Sequence, residues 1–130
     1  MMKSIHVAVG VIKRGETIFI SKRPAQLHQG GRWEFPGGKV ESGETVLQAL
    51  NRELQEEVGL TVVQAEPLLT LEYDYPEKRV MLDVWVVTEC SGVGEGLEGQ
   101  EVAWVPHQQL ADYQFPDANQ PILAAVAGLF

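Results

Sequence analysis

Short apolar runs rich in β-branched residues, separated by turn and loop residues, occur within the first 35 positions of the chain. Ile5 to Ile12 and Thr17 to Ser21 flank the turn Lys13-Arg14-Gly15, a pattern that predicts a β-hairpin. Residues 22–32 contain a proline and a double glycine and predict a loop. Trp33 to Phe35 then predict a short strand that leads into Pro36-Gly37-Gly38-Lys39. The double glycine is either an ordinary tight turn or a place where the missing Cβ atoms let the backbone approach phosphate or metal.

The apolar period changes to that of a helix after the turn formed by residues 41–44. The predicted apolar stripe consists of Val46, Leu47, Leu50, Leu54 and Val58. Gly59 is placed where a helix would stop.

The second half of the chain returns mostly to strand patterns. Strands are predicted at residues 61–65, 67–75, 79–89 and 101–105, with a turn at 76–78 and a glycine-rich, mobile surface loop at 91–99. A short helix at most is predicted at 107–113. Asn119 is a candidate N-cap of a last helix that has Pro121 in its first turn. Pattern alone therefore predicts one α+β domain over residues 1–130.

Composition narrows the classes of function. The chain of 130 residues has a net charge of −8 and a pI near 4.8, which argues against a binder of long nucleic acid. Cys90 is the only cysteine, so a reducing, cytoplasmic setting is the default expectation. Apolar stretches are too short to cross a bilayer. A small anionic substrate remains compatible, because seven of the ten basic residues precede the predicted acidic helix and form a candidate basic cluster.

Three carboxylates share one arc of the predicted helix, beside its apolar stripe. Glu53, Glu56 and Glu57 would repel one another, and Arg52 is the basic residue nearest in sequence. A divalent cation such as Mg²⁺, or Mn²⁺ in its place, would neutralise them with oxygen ligands. The alternative for an arbitrary helix is a solvated charged face.

The spacing of these acidic residues with their neighbours resembles the Nudix hydrolase family. The matching positions are Gly38, Glu44, Arg52, Glu53, Leu54, Glu56, Glu57, Gly59 and Leu60. The resemblance implies an α/β/α sandwich around a mixed β-sheet and metal-dependent hydrolysis of a nucleoside diphosphate linked to another group. It also implies a metal site that uses Glu53, Glu56, Glu57 and the carbonyl of Gly37.

Further roles follow from the same resemblance. Glu98, in the loop before the penultimate strand, would complete a second metal site or act as a base, although a solvated loop acid is the plain alternative. Arg52 would orient a neighbouring glutamate by a charge-assisted hydrogen bond. Glu44 would be structural, near the start of the helix. Which glutamate is the general base stays open.

The chain is most similar to the MutT-type 8-oxo-dGTP diphosphatases within the family, on segments such as WEFPGGKVESGET, RELQEEVGL and FPDANQP. That similarity implies cleavage of 8-oxo-dGTP to 8-oxo-dGMP and pyrophosphate, an activity that sanitises the nucleotide pool and avoids mutations. The implied substrate-binding residues are Arg23, His28, Phe35 and Asn119. Each also has a plain alternative: a surface arginine, a loop histidine, a core aromatic and a helix cap.

Two other functions are compatible with the residues. A pyrimidine nucleotide diphosphatase acting on CTP or a modified dCTP shares the RPAQ and WEF segments, and FPDAN favours the guanine nucleotide. A Nudix-fold module that binds without hydrolysis would typically lack box glutamates, which this chain keeps. The expected enzyme is a monomer that acts on a small nucleoside triphosphate.

Overall fold

The computed structural model describes residues 3–24 and 30–130 of the chain. Within these residues the strands are Lys3–Arg14 (β1), Thr17–Lys22 (β2), Trp33–Glu34 (β3), Gly37–Lys39 (β4), Thr61–Asp74 (β5), Lys78–Ser91 (β6) and Val102–Pro106 (β7). The α-helices are Val46–Val58 (α1) and Gln120–Ala127 (α2), and 3₁₀ turns cover His107–Asp112 and Asp117–Asn119.

The strands form one mixed sheet in the order β3-β2-β1-β6-β5, with β4 added to β1 and β7 added to β2. β1 and β6 pair in parallel, and the other neighbours pair antiparallel. The β1–β2 hairpin and the turn between β5 and β6 confirm the predictions from the apolar pattern. β1 lies at the centre of the sheet, so the elements packed on either face are positioned relative to it.

Side chains of β1 alternate between two apolar layers, as a strand buried on both faces requires. Val9 and Val11 pack in the layer that contains Ile122 and Val126 of α2. The opposite layer contains Ala8 and Ile12 of β1 together with Leu50 and Leu54 of α1. The predicted sandwich, with helices on both faces of a mixed sheet, is confirmed.

Both ends of α1 are closed by side-chain and glycine caps. Thr45 accepts a hydrogen bond from the Gln48 amide at 3.1 Å, and the Gln48 side chain accepts one from the Thr45 amide at 2.9 Å. Gly59 ends the helix in the left-handed conformation, at φ 69°, as its position predicts. Leu47 was predicted on the buried stripe but is 37% exposed, because it lies in the first turn beside Val62 and Val63 at the margin of the sheet.

Burial of Leu50 and Leu54, each 0% exposed, fixes how α1 is rotated on the sheet. Removing each of these side chains from water stabilises the fold by about 2 kcal/mol. A rotation that exposed them would therefore be costly. The arc that carries the box glutamates is consequently held at one orientation relative to β1 and β4.

Two parts of the chain differ from the simplest interpretation of their sequence. The double glycine does not form a tight turn: Gly37–Lys39 pairs with β1 as a strand. The predicted strands at 61–65 and 67–75 are one edge strand, β5, whose register shifts around Gln64 and Pro67. Such bulges and a proline are compatible with an edge, where a missing backbone donor breaks no ladder on the open side.

Candidate active site

The guanidinium of Arg52 forms hydrogen bonds with the carboxylates of Glu44 and Glu53. It makes two hydrogen bonds to Glu44, at 2.7 and 2.9 Å, one to Glu53 at 2.9 Å, and one to the Lys39 carbonyl at 3.1 Å. The hydrogen bonds from Arg52 lower the pKa of Glu44 to about 2. Arg52 therefore ties α1 to the loop before it and to β4, and the expected contact between Arg52 and a neighbouring glutamate is present.

Glu57 lies in a more crowded and more buried position than Glu56. Burial, a hydrogen bond to Glu53, and the charges of Glu53, Glu98 and Glu34 together raise the pKa of Glu57 to about 9. The Glu53 side chain is 18% exposed, whereas that of Glu56 is 60% exposed and lies 3.7 Å from Arg52. The acidic arc is thus a partly buried pair, Glu53 and Glu57, with Glu56 at its solvent side.

The three carboxylates that are predicted to share one cation do not gather around one point in the structure. Among the residues of 3–24 and 30–130, no three His, Cys, Asp or Glu side chains are close enough together to hold one metal ion. The physical reason is the pairing just described: Glu53 is drawn to Arg52, Glu57 to Glu53, and Glu56 extends into solvent. A shared cation would require these side chains to turn toward one another.

β4 lies against the acidic pair because its glycines lack side chains. A Cβ atom at Gly38 would stand 2.6 Å from both carboxylate oxygens of Glu53, and one at Gly37 would collide with the Ala8 carbonyl oxygen. A side chain at Gly38 would push the Glu53 carboxylate away, and one at Gly37 would meet backbone, so the glycines allow this approach of backbone to carboxylate. The expected functional role of the double glycine, close approach, is compatible with this geometry.

The glycine-rich loop after β6, predicted to be a mobile surface loop, is hydrogen-bonded to the end of α1. The amides of Glu95 and Leu97 donate to the Val58 and Glu57 carbonyls at 2.9 and 3.0 Å. Gln100 donates to the same Glu57 carbonyl at 3.0 Å and accepts from the Glu98 amide at 2.9 Å. These bonds satisfy carbonyls that a helix end leaves unpaired. They also hold the Glu98 backbone beside the acidic pair.

A cavity of about 340 Å³ opens on the other side of β4. Its lining includes Arg23, Glu34, Phe35, Gly37, Gly38, Lys39, Leu82, Pro116 and Asn119. The volume is in the range of small-molecule sites. The predicted residues Arg23, Phe35 and Asn119 therefore meet at one cavity, and β4 forms the boundary that it shares with the acidic pair.

The structure bears on the alternatives for two of these residues, Asn119 and Phe35. Asn119 stands at the N-cap position of α2 but makes no side-chain capping bond within the described residues, so the capping alternative is wrong. Its backbone is helical, at φ −89° and ψ −4°, and a capping side chain needs an extended backbone. Phe35 is 5% exposed and stacks on Phe115 at 5.1 Å, as the core alternative expects, while it also lines the cavity.

The basic residues do not assemble into one cluster. Lys13 lies over the ring of Phe130, and Arg14 contacts Cys90 and Trp104, away from the cavity. Arg23 and Lys39 do line the cavity. His28 lies outside the described residues, so its predicted role stays a prediction.

Comparison with known proteins identifies the group to which this chain belongs. The family model described as the NUDIX domain matches residues 7–125. The chain belongs to the NUDIX domain family. This Nudix chain is 42% identical to the 8-oxo-dGTP diphosphatase of Escherichia coli over 129 residues, covering 98% of the chain and 100% of the relative.

Two further similarities help to place this Nudix protein. It is 35% identical to the CTP pyrophosphohydrolase of Escherichia coli, over 98% of the chain and 95% of the relative. A solved structure from a study of MutT of Aliivibrio salmonicida and Vibrio cholerae superposes with a TM-score of 0.85 at 42% identity, over 98% of this chain and 100% of that one. Both the Nudix fold and the enzyme class expected from the box are thereby confirmed.

Nudix hydrolases generally depend on a divalent metal ion, and the residues at α1 fit such an ion. Glu53 and Glu57 are adjacent carboxyls, and the charges of two more acids, Glu98 and Glu34, act on Glu57. Arg52 compensates Glu53, whereas burial, followed by the contact with Glu53 and the nearby negative charges, raises the pKa of Glu57 and favours its protonated form. Carboxylate oxygens are suitable ligands for a hard divalent cation.

We expect the stability of the metal-free Nudix domain to fall as the pH rises. The folded pKa of Glu57 is about 9 and its ordinary value is 4.5, so between these values the folded state binds more protons than the unfolded chain. By linkage, the contribution of Glu57 is greatest below its unfolded pKa and is lost as the pH rises through its folded pKa. Melting temperatures in chelator from about pH 5 to about pH 9 measure this loss.

The matched control for this experiment is Glu57→Gln, whose melting temperature should depend less on pH in the same buffers. Addition of a divalent cation to the wild type at high pH should restore stability, since the cation binds the ionised carboxylate of Glu57 and so stabilises the folded state. Equal pH dependence in wild type and variant would contradict the assignment.

Within the described residues no helix is long and apolar enough to cross a membrane.

Two residues at this site were not predicted from the sequence. The only sequence signal for Gln100 is its place in the segment Glu98-Gly99-Gln100. The only signal for Glu34 is its place as the polar residue between Trp33 and Phe35. Glu34 accepts a long hydrogen bond from Arg23 at 3.4 Å, and burial raises its pKa against the opposing effect of that arginine.

Proposed function

We propose that this Nudix enzyme hydrolyses 8-oxo-dGTP to 8-oxo-dGMP and pyrophosphate, with Mg²⁺ as its metal and with Mn²⁺ able to substitute. The observation that carries the proposal is the shared boundary at β4. Gly38 has the Glu53 carboxylate against it, while Gly37 and Gly38 also line the cavity that contains Asn119. A nucleotide with its base in the cavity would have its phosphates at the acidic pair.

Three residues around the cavity would recognise the base. The amide of Asn119 can both donate and accept, which suits a guanine edge that carries O6 and the altered N7 position. Phe35 would supply an apolar wall, fixed by its stacking on Phe115. Arg23 would contact phosphate or base from the end of β2, and His28 is proposed as a further contact on the strength of its sequence match alone.

The chain's own residues would position the phosphates and the acidic groups. Arg52 holds one oxygen of Glu53 and so leaves the other directed away from the guanidinium. Gln100 holds the Glu98 backbone at the end of α1 that carries Glu57. Water is added across the anhydride between the α and β phosphates, so one phosphorus–oxygen bond breaks and one forms. Lys39 lines the same cavity and would offset negative charge on the phosphates.

The proposed ligands of the metal are the carbonyl of Gly37 and the carboxylates of Glu53, Glu56, Glu57 and Glu98. A bound Mg²⁺ would neutralise negative charge on phosphate oxygens and lower the pKa of a bound water. Arg52 would act by orienting Glu53, without touching the substrate.

A panel of nucleotides tests the proposal. We expect kcat/KM for 8-oxo-dGTP to exceed that for dGTP and for CTP by about 100-fold or more, because a site that hydrogen-bonds one base edge leaves polar groups unpaired with another. Monophosphate and pyrophosphate should appear in equal amounts, and excess chelator should abolish both. The measurement is chromatographic product analysis with Mg²⁺ or Mn²⁺ present.

Two results of the panel would replace the proposal with a named rival. Higher kcat/KM for CTP or a modified dCTP would make the enzyme a pyrimidine nucleotide diphosphatase, a function that the similarity to the CTP pyrophosphohydrolase supports. Binding of nucleotide without any product, with either metal, would make the chain a non-catalytic binding module.

We propose the setting of the enzyme from the same observations. Residues 1–130 would form one domain, a monomer that acts on free nucleoside triphosphates in the cytoplasm, not on long nucleic acid. The net charge of −8 opposes binding to a polyanion. The single cysteine suits a reducing compartment.

A further inference from the structure

Tyr73 of β5 makes a tertiary hydrogen bond to the turn that carries Asn119. Its hydroxyl donates to the carbonyl oxygen of Ala118 at 2.7 Å, across 45 positions of sequence. Ala118 is the middle residue of the 3₁₀ turn Asp117–Asn119, so the acceptor peptide is the one that precedes Asn119. The bond therefore holds the peptide plane that joins Ala118 to Asn119.

The turn has limited support from its own local structure. Three residues form it, and its backbone bonds are the Asn119 amide to the Pro116 carbonyl at 2.9 Å and the Gln120 amide to the Asp117 carbonyl. Short 3₁₀ segments have poorer hydrogen-bond geometry than α-helices. Asn119 also makes no capping bond that would hold its side chain to α2 within the described chain. The orientation of Asn119 consequently depends on contacts that come from other elements.

Those contacts secure the segment on both sides of Pro116. Before it, the Trp33 amide donates to the Gln114 carbonyl at 2.7 Å, and Phe115 stacks on Phe35. After it, the Tyr73 hydroxyl holds Ala118. Burial raises the pKa of Tyr73 above its ordinary value, so this hydroxyl keeps the proton that it donates at physiological pH.

We infer that Tyr73 is a positioning residue for base recognition: its hydroxyl holds the Asp117–Asn119 turn so that the Asn119 amide is presented to the base at a fixed angle. The inference rests on the proposed function for the identity of the base, although not for the placement of the turn. Tyr73 acts through Asn119 and is not proposed to touch the substrate.

Tyr73→Phe tests this inference, because it removes the hydroxyl and keeps the ring. Tyr75→Phe is the matched control, since Tyr75 is 47% exposed at the β5–β6 turn and has Lys78 over its ring. Hydrogen exchange of the amides at residues 115–120 should quicken in Tyr73→Phe and remain at the wild-type rate in Tyr75→Phe. This readout needs no nucleotide.

The second readout is selectivity between the nucleotide that the wild type prefers and the next best of the panel. Loss of one hydrogen bond should lower this ratio about threefold to tenfold, through a higher KM at nearly unchanged kcat, while Tyr75→Phe leaves it unchanged. Unaltered exchange at 115–120, or altered exchange with unaltered selectivity, would overturn the inference. Preference of the wild type for another base would refute the proposed 8-oxo-dGTP activity and would leave this test intact.

Discussion

Glu57→Gln is expected to lower kcat by about three orders of magnitude while the fold remains intact. A glutamine keeps the shape of the side chain but cannot supply a carboxylate to a divalent cation, and groups that stabilise charge in the transition state commonly contribute factors of 10²–10³ each. The pKa of Glu57 is raised strongly, because its carboxyl is buried beside Glu53. Steady-state kinetics at saturating Mg²⁺ would measure the loss.

The structure predicts that Glu57→Gln, although it lowers activity, increases the stability of the metal-free protein. Removing an acid that is unfavourable in its ionised form should raise the melting temperature of the metal-free protein near neutral pH. The same change should remove most of the stabilisation that Mg²⁺ gives the wild type. A residue needed only for packing would lose activity and stability together, so the two measurements separate the roles.

Glu66→Gln serves as the control for this substitution, since Glu66 is exposed on β5 and lies outside the acidic pair. It should leave kcat and the response to Mg²⁺ unchanged. Turnover of Glu57→Gln within about threefold of the wild type would remove Glu57 from the proposed ligand set.

Helix α1 shows how far the sequence predicts this site. The apolar period places Leu50, Leu54 and Val58 in the core, and their burial determines that Glu53 lies against Gly38 of β4, with Glu57 beside it. This part of the site follows from a local repeat and one glycine stop. Periodicity could specify it because each residue's neighbours on a helix lie three or four positions away.

The contacts between distant segments could not be predicted in the same way. Gly37 and Gly38 form a strand because they pair with Val9 and Ala8 of β1, and nothing in a Pro-Gly-Gly run indicates that pairing. The loop at 92–101 is attached to α1 because the helix end offers unpaired carbonyls, a demand that appears only once both segments are folded. Composition alone indicated a mobile loop.

The capping role of Asn119 is excluded by one pair of backbone angles and by the missing side-chain bond in the described chain. A sequence with Asn before Gln-Pro favours a capped helix start. The preceding 3₁₀ turn keeps Asn119 helical, which removes the geometry that capping requires and leaves its side chain at the cavity. The carbonyl of Ala118, in the same turn, accepts a hydrogen bond from the Tyr73 hydroxyl.

Asn119→Ala is expected to reduce discrimination between 8-oxo-dGTP and dGTP by one to two orders of magnitude. A side-chain amide that pairs with a base edge contributes about 1–3 kcal/mol of discrimination, and alanine can form neither bond. The proposed role assigns the loss to 8-oxo-dGTP, whose kcat/KM should fall toward that of dGTP. Turnover at saturating nucleotide should change little, because the acidic pair on α1 is untouched.

The melting temperature of Asn119→Ala distinguishes base recognition from helix capping. Loss of a capping bond would cost about 1 kcal/mol, or about 4–8 °C in a domain near this size. Since Asn119 makes no such bond in the described chain, the variant should melt close to the wild type. Gln120→Ala, a change at the next and exposed position, is the control for altered helix propensity. An unchanged ratio of the two nucleotides, or a loss of stability of the size expected for a cap, would contradict the role, because the amide would then serve α2 and not the base.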